Sequence, residues 1–380
     1  MTSALYPAEF VFPGHPDKLC DAIADALVQE GQRREPRALV GVEVAAHRDH
    51  VYVTGRIACE GATDIDVEAV VRDVYRTAGY DDEWYPAPDR VKVTSNLCLG
   101  ALEDGEAEFR ELADDQSICI GYANDLEATN HLPVEHWLVM RFARRLYALR
   151  LESPELDLGP DGKVVISVRE TTASDAEDDD DQRAWQLASF SCSLQQKIGA
   201  DEVALHRGVR LAIEQELAQA ASELEGLSAA LPEHLTVNGA GNFEVGGPEG
   251  DNGLSGKKLV CDAYGPRVPI GGGAWSGKDF FKADRAGGLH ARRLAKAIVQ
   301  LGIAREAQVV LGWFPGDRAA RVMRIVADDG RLLDAHRFEK LFDLSLLRSG
   351  TGYQVEDLIE AARRGHFADA DYPWEHVQFA

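Results

Sequence analysis

The apolar residues near the start of the chain follow two periods in turn. Leu19, Ile23 and Leu27 recur every four residues after Asp17, which predicts an amphipathic helix that ends at Gly31. The stretches RALVGVEVAA and HVYVTGRIACEG then alternate apolar and polar residues, as paired strands do. Helical spacing returns in DIDVEAVVRDVYRTAGY. This order predicts an α+β fold, with helices packed on one face of a mostly antiparallel sheet.

Similar helix and strand patterns follow in two further stretches of the chain. VEHWLVMRFARRLYAL, ADEVALHRGVRLAIEQELAQAA and AGGLHARRLAKAIVQLG have helical periodicity, whereas KVVISVRE and WQLASFSCSL have that of strands. Polar segments separate the stretches. They predict three domains of similar layout, at residues 1–104, 112–232 and 235–380.

An acidic insertion, TTASDAEDDDDQR, separates the two central predicted strands. It is longer than a hairpin needs, and its run of aspartates at 178–181 is typical of a solvated, mobile loop. A cation site in this loop is the alternative interpretation.

Composition and charge narrow the class of protein. The 380 residues carry 40 basic and 64 acidic side chains, a net charge of −24, which disfavours nucleic acid or an anionic membrane as the main partner. The six cysteines form no CxxC pair, so we expect them to be reduced and mostly buried. The first ten residues lack the pattern of a signal peptide and no apolar run is long enough to cross a membrane, so we predict a cytoplasmic protein.

Glycines, lysines and aspartates are concentrated in one segment, NFEVGGPEGDNGLSGKKLVCDAYGPRVPIGGGAWSGKDFFKADR. Glycines let backbone amides approach a ligand closely, lysines bind phosphate oxygens, and aspartates can hold a Mg²⁺ ion that bridges those oxygens. The motif of a P-loop and that of a dinucleotide-binding turn are both missing from the sequence. The candidate residues are Lys257, Lys258, Lys278, Lys282, Asp251, Asp279 and Asp284.

The first helix begins in the turn GHPDK, which brings a histidine, a carboxylate and an ammonium to a helix N-terminus. Backbone amides there attract anions, and His15 and Lys18 would add donors while Asp17 binds a metal. The plainer interpretation makes Asp17 the N-cap and places His15 on the surface.

Two shorter motifs have equally plain interpretations. Asp161 and Lys163 lie in GPDGKVV, where PDG is an ordinary turn signal before a strand. Asp115 and Gln116 precede an apolar strand in DDQSICIGYAND.

Taken together, these motifs resemble those of the S-adenosylmethionine synthetases. GHPDK, DQS-x3-GYA, PDGK, GGPEGDNGLSGKK, GGGAWSGKD, KADR and the closing GHFADADYPWE stand in that family's order, from Glu9 to Glu375. The resemblance implies three similar α+β domains of mixed or antiparallel sheet with helices on one face, in a homodimer or homotetramer with active sites between subunits. It also implies transfer of the adenosyl group of ATP to L-methionine, with two Mg²⁺ ions per site and K⁺, and release of phosphate and diphosphate from bound triphosphate.

The resemblance also implies a role for each matching residue. For catalysis these are His15, Lys163, Lys258, Lys278 and Asp115. For ATP they are His15, Asp161, Lys163, Asn242, Phe243, Asp251, Lys257, Lys258, Ala274 and Lys278, with Phe243 stacking on adenine. For the acceptor they are Arg56, Asp251 and Lys282. For metals they are Asp17 and Asp284 with Mg²⁺, and Glu43 with K⁺.

The chain departs from the family pattern where the acceptor would bind. Arg56 stands where the family's GGEI motif supplies a glutamate to the methionine ammonium, and SNLCLGALEDGEAEF lacks the family's glutamine. Three interpretations stay open at this point. In the first, Arg56 turns to solvent while Glu60 or Glu103 binds the ammonium; in the second, the chain uses a different acceptor; in the third, it is a retired homologue that serves as a partner subunit.

Overall fold

The structure is a computed structural model that describes residues 2–173, 182–328, 330–339, 342–353 and 357–377. The acidic run at 178–181 lies outside the described residues. The strands are β1 (Thr2–Val11), β2 (Leu39–His47), β3 (His50–Ala58), β4 (Lys92–Gly100), β5 (Ser117–Asn124), β6 (Leu158–Ala173), β7 (Gln182–Gln196), β8 (Leu235–Val237), β9 (Gly253–Leu254), β10 (Glu306–Trp313), β11 (Arg321–Ala327) and β12 (Arg331–Leu333).

The α-helices are α1 (Pro16–Arg34), α2 (Val67–Thr77), α3 (Glu106–Phe109), α4 (Val134–Glu152), α5 (Glu202–Glu223), α6 (Gly247–Gly250), α7 (Leu259–Asp262), α8 (Ala283–Gln300), α9 (Ala335–Phe338), α10 (Leu346–Gly352) and α11 (Leu358–Arg364). Among the described helices, α1, α4 and α8 are long and pack on the sheets, and the longest, α5, packs mainly on α4. Single turns of 3-10 helix lie at Ala62–Asp64, Pro88–Arg90, Glu127–Thr129 and Pro154–Leu156. No described helix is both long and apolar enough to cross a bilayer.

In the described residues, three four-stranded sheets form the framework, in the orders β1-β6-β7-β8, β12-β11-β10-β5 and β4-β3-β2-β9. The pairs β3–β4 and β7–β8 are parallel and the other pairs are antiparallel. Helix α1 packs on β2, α4 on β1 and β6, and α8 on β5 and β10. The predicted α+β class, with mixed sheets and covering helices, is confirmed.

Each sheet takes a strand from a distant part of the chain. Strand β1 pairs with β6, β5 pairs with β10, and β9 pairs with β2. The domain division at 1–104, 112–232 and 235–380 follows continuous runs of chain rather than these sheets, and it stays a prediction.

Two local predictions differ from the structure. Helix α1 does not end at Gly31 but runs on to Arg34. Gly31 is buried, and a Cβ there would lie 2.7 Å from a methyl of Val40, so close packing on β2 accounts for the glycine. Likewise Asp161 lies within β6 rather than in a turn, at a register shift between Leu158 and Gly162.

The contact between β5 and α8 gives a test of this packing. A Cβ on Gly121 would lie 2.0 Å from the carbonyl carbon of Ala291, so the two backbones touch. We expect Gly121→Ala to lower the free energy of unfolding by about 2–3 kcal/mol, because the strand and helix must move apart. Gly100→Ala is the matched control, since a Cβ added to Gly100 would have no other atom within 4 Å. Urea denaturation measures both; equal stability of the two variants would contradict this packing.

Candidate active site

The N-terminus of α1 carries the first group of predicted site residues. His15 is the N-cap, and its Nδ1 accepts a hydrogen bond from the Asp17 amide at 3.2 Å. Asp17 is only 1% exposed and accepts bonds from the Leu254 amide at 3.0 Å and from the Lys258 Nζ at 2.7 Å. Lys257 Nζ lies 3.7 Å from the same carboxylate. The interpretation of Asp17 as N-cap is therefore wrong, and we call His15, Asp17, Lys257 and Lys258 the His15 cluster.

Burial and charge fix the protonation state of His15. Burial, together with the positive charges of Lys258 and Lys163, lowers the pKa of His15 to about 4. The ring is therefore neutral at pH 7. Because Nδ1 accepts the Asp17 amide, the hydrogen-bond network assigns the proton to Nε2, which can donate to an anionic ligand.

Lys18 has a different role from the one that the sequence predicts. The side chain is fully buried and its ammonium contacts the carboxylates of Asp21 and Asp262. Although burial opposes its charge, Asp262 and Asp21 raise the pKa of Lys18. Lys18 is thus committed to the interior and offers no donor to a ligand.

The start of β6 adds two more predicted residues beside the His15 cluster. Asp161 is buried, and its Oδ2 accepts the Gly247 amide at 2.7 Å while Oδ1 is buried without a partner. Burial raises the pKa of Asp161 to about 6. Lys163 forms an ion pair with Glu9 at 2.7 Å, and its charge influences His15. An unpaired buried carboxyl oxygen of this kind fits a hydrogen-bond donor on a ligand.

The predicted nucleotide residues Asn242 and Phe243 follow β8 and lie beside the end of β7. Phe243 is half-buried, and its carbonyl accepts the Gln196 amide at 2.9 Å. The preceding Gln195 approaches the Asp161 amide with its side-chain oxygen at 3.3 Å. Asn242 and Asp251 are exposed. Two hydrogen bonds, made by the adjacent residues Gln195 and Gln196, thus connect Asp161 and Phe243 to the end of β7.

The second group of site residues surrounds a cavity of about 430 Å³. Lys278 forms an ion pair with Asp284, which also accepts a hydrogen bond from the Ser117 hydroxyl at 2.5 Å. Lys282 pairs with Asp114 at 2.5 Å. The lining comprises Gly41, Val42, Glu43, Thr54, Gly55, Asp114, Asp115, Gln116, Ser117, Lys278, Lys282, Ala283 and Asp284. The structure therefore brings together five predicted residues here, namely Glu43, Asp115, Lys278, Lys282 and Asp284.

The triplet Gly271 to Gly273, here called the glycine-rich loop, lies between the two groups. A Cβ on Gly273 would lie 2.0 Å from the carboxylate carbon of Asp284, so only glycine fits against this side chain. The next residue, Ala274, contacts Gly256 beside Lys257, because a Cβ on Gly256 would lie 2.4 Å from the Ala274 Cβ. Within the described part of the chain, no hydrogen bond or ion pair joins the His15 cluster directly to a residue of the cavity.

Sequence reasoning did not single out Asp114, Ser117 or Glu9, which pair with Lys282, Asp284 and Lys163. The residue type gave no signal, since aspartates and serines are common in polar connections. A search for acids next to the recognised motifs would have found Asp114, the neighbour of Asp115.

Comparison with known proteins decides the family. A model of the S-adenosylmethionine synthetase N-terminal domain matches residues 3–98, and a model of the C-terminal domain matches residues 245–376. The S-adenosylmethionine synthase of Corynebacterium kroppenstedtii is 31% identical over 407 residues, covering 99% of this chain and 97% of that protein. S-adenosylmethionine synthase 1 of Frankia casuarinae is also 31% identical, over 412 residues, covering 100% and 98%. The S-adenosylmethionine synthase of Maricaulis maris is 29% identical over 397 residues, covering 100% and 97%.

The chain belongs to the S-adenosylmethionine synthetase family. This is a family of transferases, the methionine adenosyltransferases, and the resemblance drawn from the motifs is confirmed. The positions at which this chain departs from other S-adenosylmethionine synthetases can now be placed in the structure.

Arg56 does not turn into solvent. Its guanidinium donates two hydrogen bonds to the Glu106 carboxylate, at 2.6 and 2.8 Å, and Glu103 lies 3.8 Å away. Arg56 lies opposite Gly41 of β2, and Gly41, Thr54 and Gly55 line the cavity. The arginine that replaces the S-adenosylmethionine synthetase glutamate is thus neutralised within the same chain.

The predicted magnesium ligands, Asp17 and Asp284, do not form a complete metal site by themselves. Among the described residues, no three His, Cys, Asp or Glu side chains converge as a preformed metal site. Asp17 and Asp284 each present a single carboxylate next to lysines. Mg²⁺ in nucleotide sites commonly takes one or two carboxylates and completes its coordination with phosphate oxygens and water. The donor set therefore fits Mg²⁺ that arrives together with a polyphosphate.

The neutral state of His15 leads to a stability prediction. A histidine whose folded pKa is about 4, against about 6.5 unfolded, destabilises the fold progressively as pH falls from about 6.5 toward 4. His15→Gln removes this dependence. We therefore expect the unfolding free energy to drop about 2 kcal/mol less between pH 7 and 4.5 in the variant than in the wild type.

Urea denaturation at the two pH values measures the difference. His234→Gln changes an exposed histidine and is the matched control. If His15→Gln and His234→Gln lose stability equally on acidification, then His15 is not held in the neutral form.

Proposed function

We propose that the chain makes S-adenosylmethionine from ATP and L-methionine, with the methionine sulfur attacking the ribose C5′ and triphosphate leaving. The triphosphate is then cleaved to phosphate and diphosphate before release. A thioether sulfur carries no proton, so the reaction needs no general base. The demand on the protein is to stabilise the charge of the leaving group.

One observation supports this proposal above all: on both sides of the glycine-rich loop, lysine ammonium groups contact carboxylates. Lys257 and Lys258 contact Asp17, and Lys278 contacts Asp284. Ammonium groups at these positions can bind the oxygens of a polyphosphate, with His15 Nε2 as a neutral donor. Lys163 lies close enough to His15 for its charge to lower the pKa of His15, and its ammonium would bind the same phosphate chain.

The remaining ligand parts have candidate positions. We assign the adenosine to Asp161, Phe243 and Ala274, since Asp161 keeps an unpaired buried oxygen and Phe243 offers an aromatic face. Asp251 and Lys282 are candidates for the amino acid end of the acceptor, and Asp115 lines the same cavity as Lys282.

Asp17 and Asp284 would hold two Mg²⁺ ions, and Glu43 would hold K⁺. When bound, Mg²⁺ neutralises charge that develops on the departing phosphates. The protein side chains orient the phosphates, and they also keep Asp17 deprotonated. Lys258 serves this second purpose: although burial opposes ionisation of Asp17, the hydrogen bond from Lys258 lowers the pKa of Asp17.

We further propose a homodimer, or a tetramer of two dimers, in which each active site combines the His15 cluster of one protomer with the cavity of the other. Large apolar side chains are exposed on the sheets of the framework, as a buried interface requires. They include Leu5 and Val165 on β1 and β6, Ile118 and Met323 on β5 and β11, and Leu254 on β9. A cytoplasmic location also stays a prediction.

The reaction is tested with purified chain, ATP, Mg²⁺, K⁺ and L-methionine. Mass spectrometry should detect S-adenosylmethionine, and phosphate and diphosphate should appear in equal amounts. Lys278→Ala should lower kcat by on the order of 10² or more, because it removes a charge that faces the leaving group. Lys197→Ala, which removes a half-exposed lysine paired with Glu83 and Asp157, is the matched control and should leave kcat within about twofold.

A panel of other sulfur acceptors belongs in the same experiment. Product from another acceptor but not from methionine would contradict the proposed acceptor while leaving adenosyl transfer intact. Failure to convert ATP or tripolyphosphate under any condition would contradict the proposed activity as a whole and favour a retired partner subunit.

The shared site is tested by coexpressing His15→Ala and Lys278→Ala chains that carry different tags. Each homodimer of variants should be inactive. If a site combines His15 of one protomer with Lys278 of the other, each mixed dimer has one intact site, and an equal mixture should recover about a quarter of wild-type activity. If both residues act within one chain, purified mixed dimers should be inactive, and the shared site is wrong.

A further inference from the structure

The connection from β4 to β5, residues 101–116, is here called the strap. Residues 114–116 at its end line the cavity, so the strap forms one of the cavity walls. Only the short helix α3 gives it regular structure. Since a four-residue helix contributes little stability of its own, contacts outside the strap must hold this wall in place.

The first of these contacts is the pair between Arg56 and Glu106. The pair is bidentate, at 2.6 and 2.8 Å, a geometry that fixes orientation as well as distance. Glu106 Oε2 also accepts the Glu103 amide at 2.9 Å, which closes the turn before α3. Arg56 is 37% exposed and Glu106 17%. One carboxylate thus joins the strap to the middle of β3.

The other contacts hold the second half of the strap. Arg110 is buried and contacts Asp279 and the carbonyl of Ala38, and it lies over the ring of Phe281 at 5.0 Å. Glu111 pairs with Arg37 at 2.7 Å and with Arg318 at 3.1 Å. These anchors tie the strap to the residues just before β2, β11 and α8.

The strap ends where the cavity lysines begin. Asp114 pairs with Lys282, and Asp115 and Gln116 face the same cavity. Within the described residues, Arg56 does not line the cavity, although its β3 neighbours Thr54 and Gly55 do. Its guanidinium is engaged by the strap instead.

We propose that Arg56 is a positioning residue, which acts through Glu106 to hold the strap as a wall of the acceptor side of the site. It does not bind the acceptor itself. The proposal rests on the proposed function for its kinetic consequence alone. The position of the strap is a property of the chain without substrate.

The structural arm of the test uses Arg56→Ala, Glu106→Ala, the double variant and the charge swap Arg56→Glu/Glu106→Arg. Limited trypsinolysis after Arg110 and hydrogen exchange of amides 103–113 report on the strap. We expect each single variant to speed cleavage about fivefold, the double variant to be no faster, and the swap to restore most of the protection. Arg76→Glu, which disrupts an exposed pair with Asp89, is the matched control and should leave cleavage unchanged.

The kinetic arm compares KM for methionine with KM for ATP. Arg56→Ala and Glu106→Ala should raise the acceptor KM by a similar factor, about fivefold, while the ATP KM stays within about twofold. A residue that contacted the acceptor directly would give a different pattern. In that case Arg56→Ala would raise the acceptor KM while Glu106→Ala left it unchanged.

The structural and kinetic arms distinguish failure of the proposed function from failure of the positioning role. Wild-type chain without adenosyl transfer would overturn the proposed function, and the trypsin and exchange results would still decide whether the pair holds the strap. Unchanged cleavage and exchange in both single variants would overturn the positioning role, whatever the kinetics. Thermal melting of every variant identifies loss of the whole fold, and the swap then carries the test because it retains both charges.

Discussion

The site depends on buried ion pairs between α1 and the glycine-rich part of the chain more than 230 residues later. Asp17 pairs with Lys258, Lys18 with Asp262, and Asp25 with Arg285. Removing one member of such a pair leaves a buried charge without compensation, which commonly costs several kcal/mol. The pairs therefore fix the position of the turn that carries His15 relative to Lys257 and Lys258. These pairs account for the carboxylate and the ammonium that accompany His15 at the start of α1.

The sequence pattern predicted α1 but did not show what surrounds its polar face. Leu19, Ile23 and Leu27 define the apolar stripe, while Asp21 and Asp25 continue a carboxylate stripe that resembles a solvated face. Both aspartates are buried: Asp21 accepts the Gly256 amide at 2.7 Å and Asp25 the Gly277 amide at 2.9 Å. Hydrophobic periodicity does not show whether a carboxylate is hydrogen-bonded to water or to a residue from a distant part of the chain. The same limit explains why Lys18 looked like a ligand donor and why Glu106 was not foreseen as the partner of Arg56.

The sheets show a related limit. Alternation within β2 predicts a strand and its two faces, yet nothing in that pattern names β9 as a neighbour, since every half-buried strand has the same period. Long motifs such as GHPDK and GGGAWSGKD carried more information, because they imply a family and with it a whole set of contacts. Most of the strap lies outside the quoted motifs, so its ion pairs with Arg56, Arg37 and Lys282 could not be inferred from them.

The pairing of lysines with carboxylates also bears on which anion the site accepts. Four lysines without partners would repel one another, whereas each one here is held by an acid: Lys257 and Lys258 by Asp17, Lys278 by Asp284, and Lys282 by Asp114. A bare anion that draws Lys258 and Lys278 away leaves Asp17 and Asp284 without a counter-charge. A polyphosphate that brings divalent cations supplies the lysines with phosphate oxygens and the carboxylates with a metal, so every charge remains paired. The arrangement thus favours a metal-bound polyphosphate over a simple anion before any step of chemistry begins.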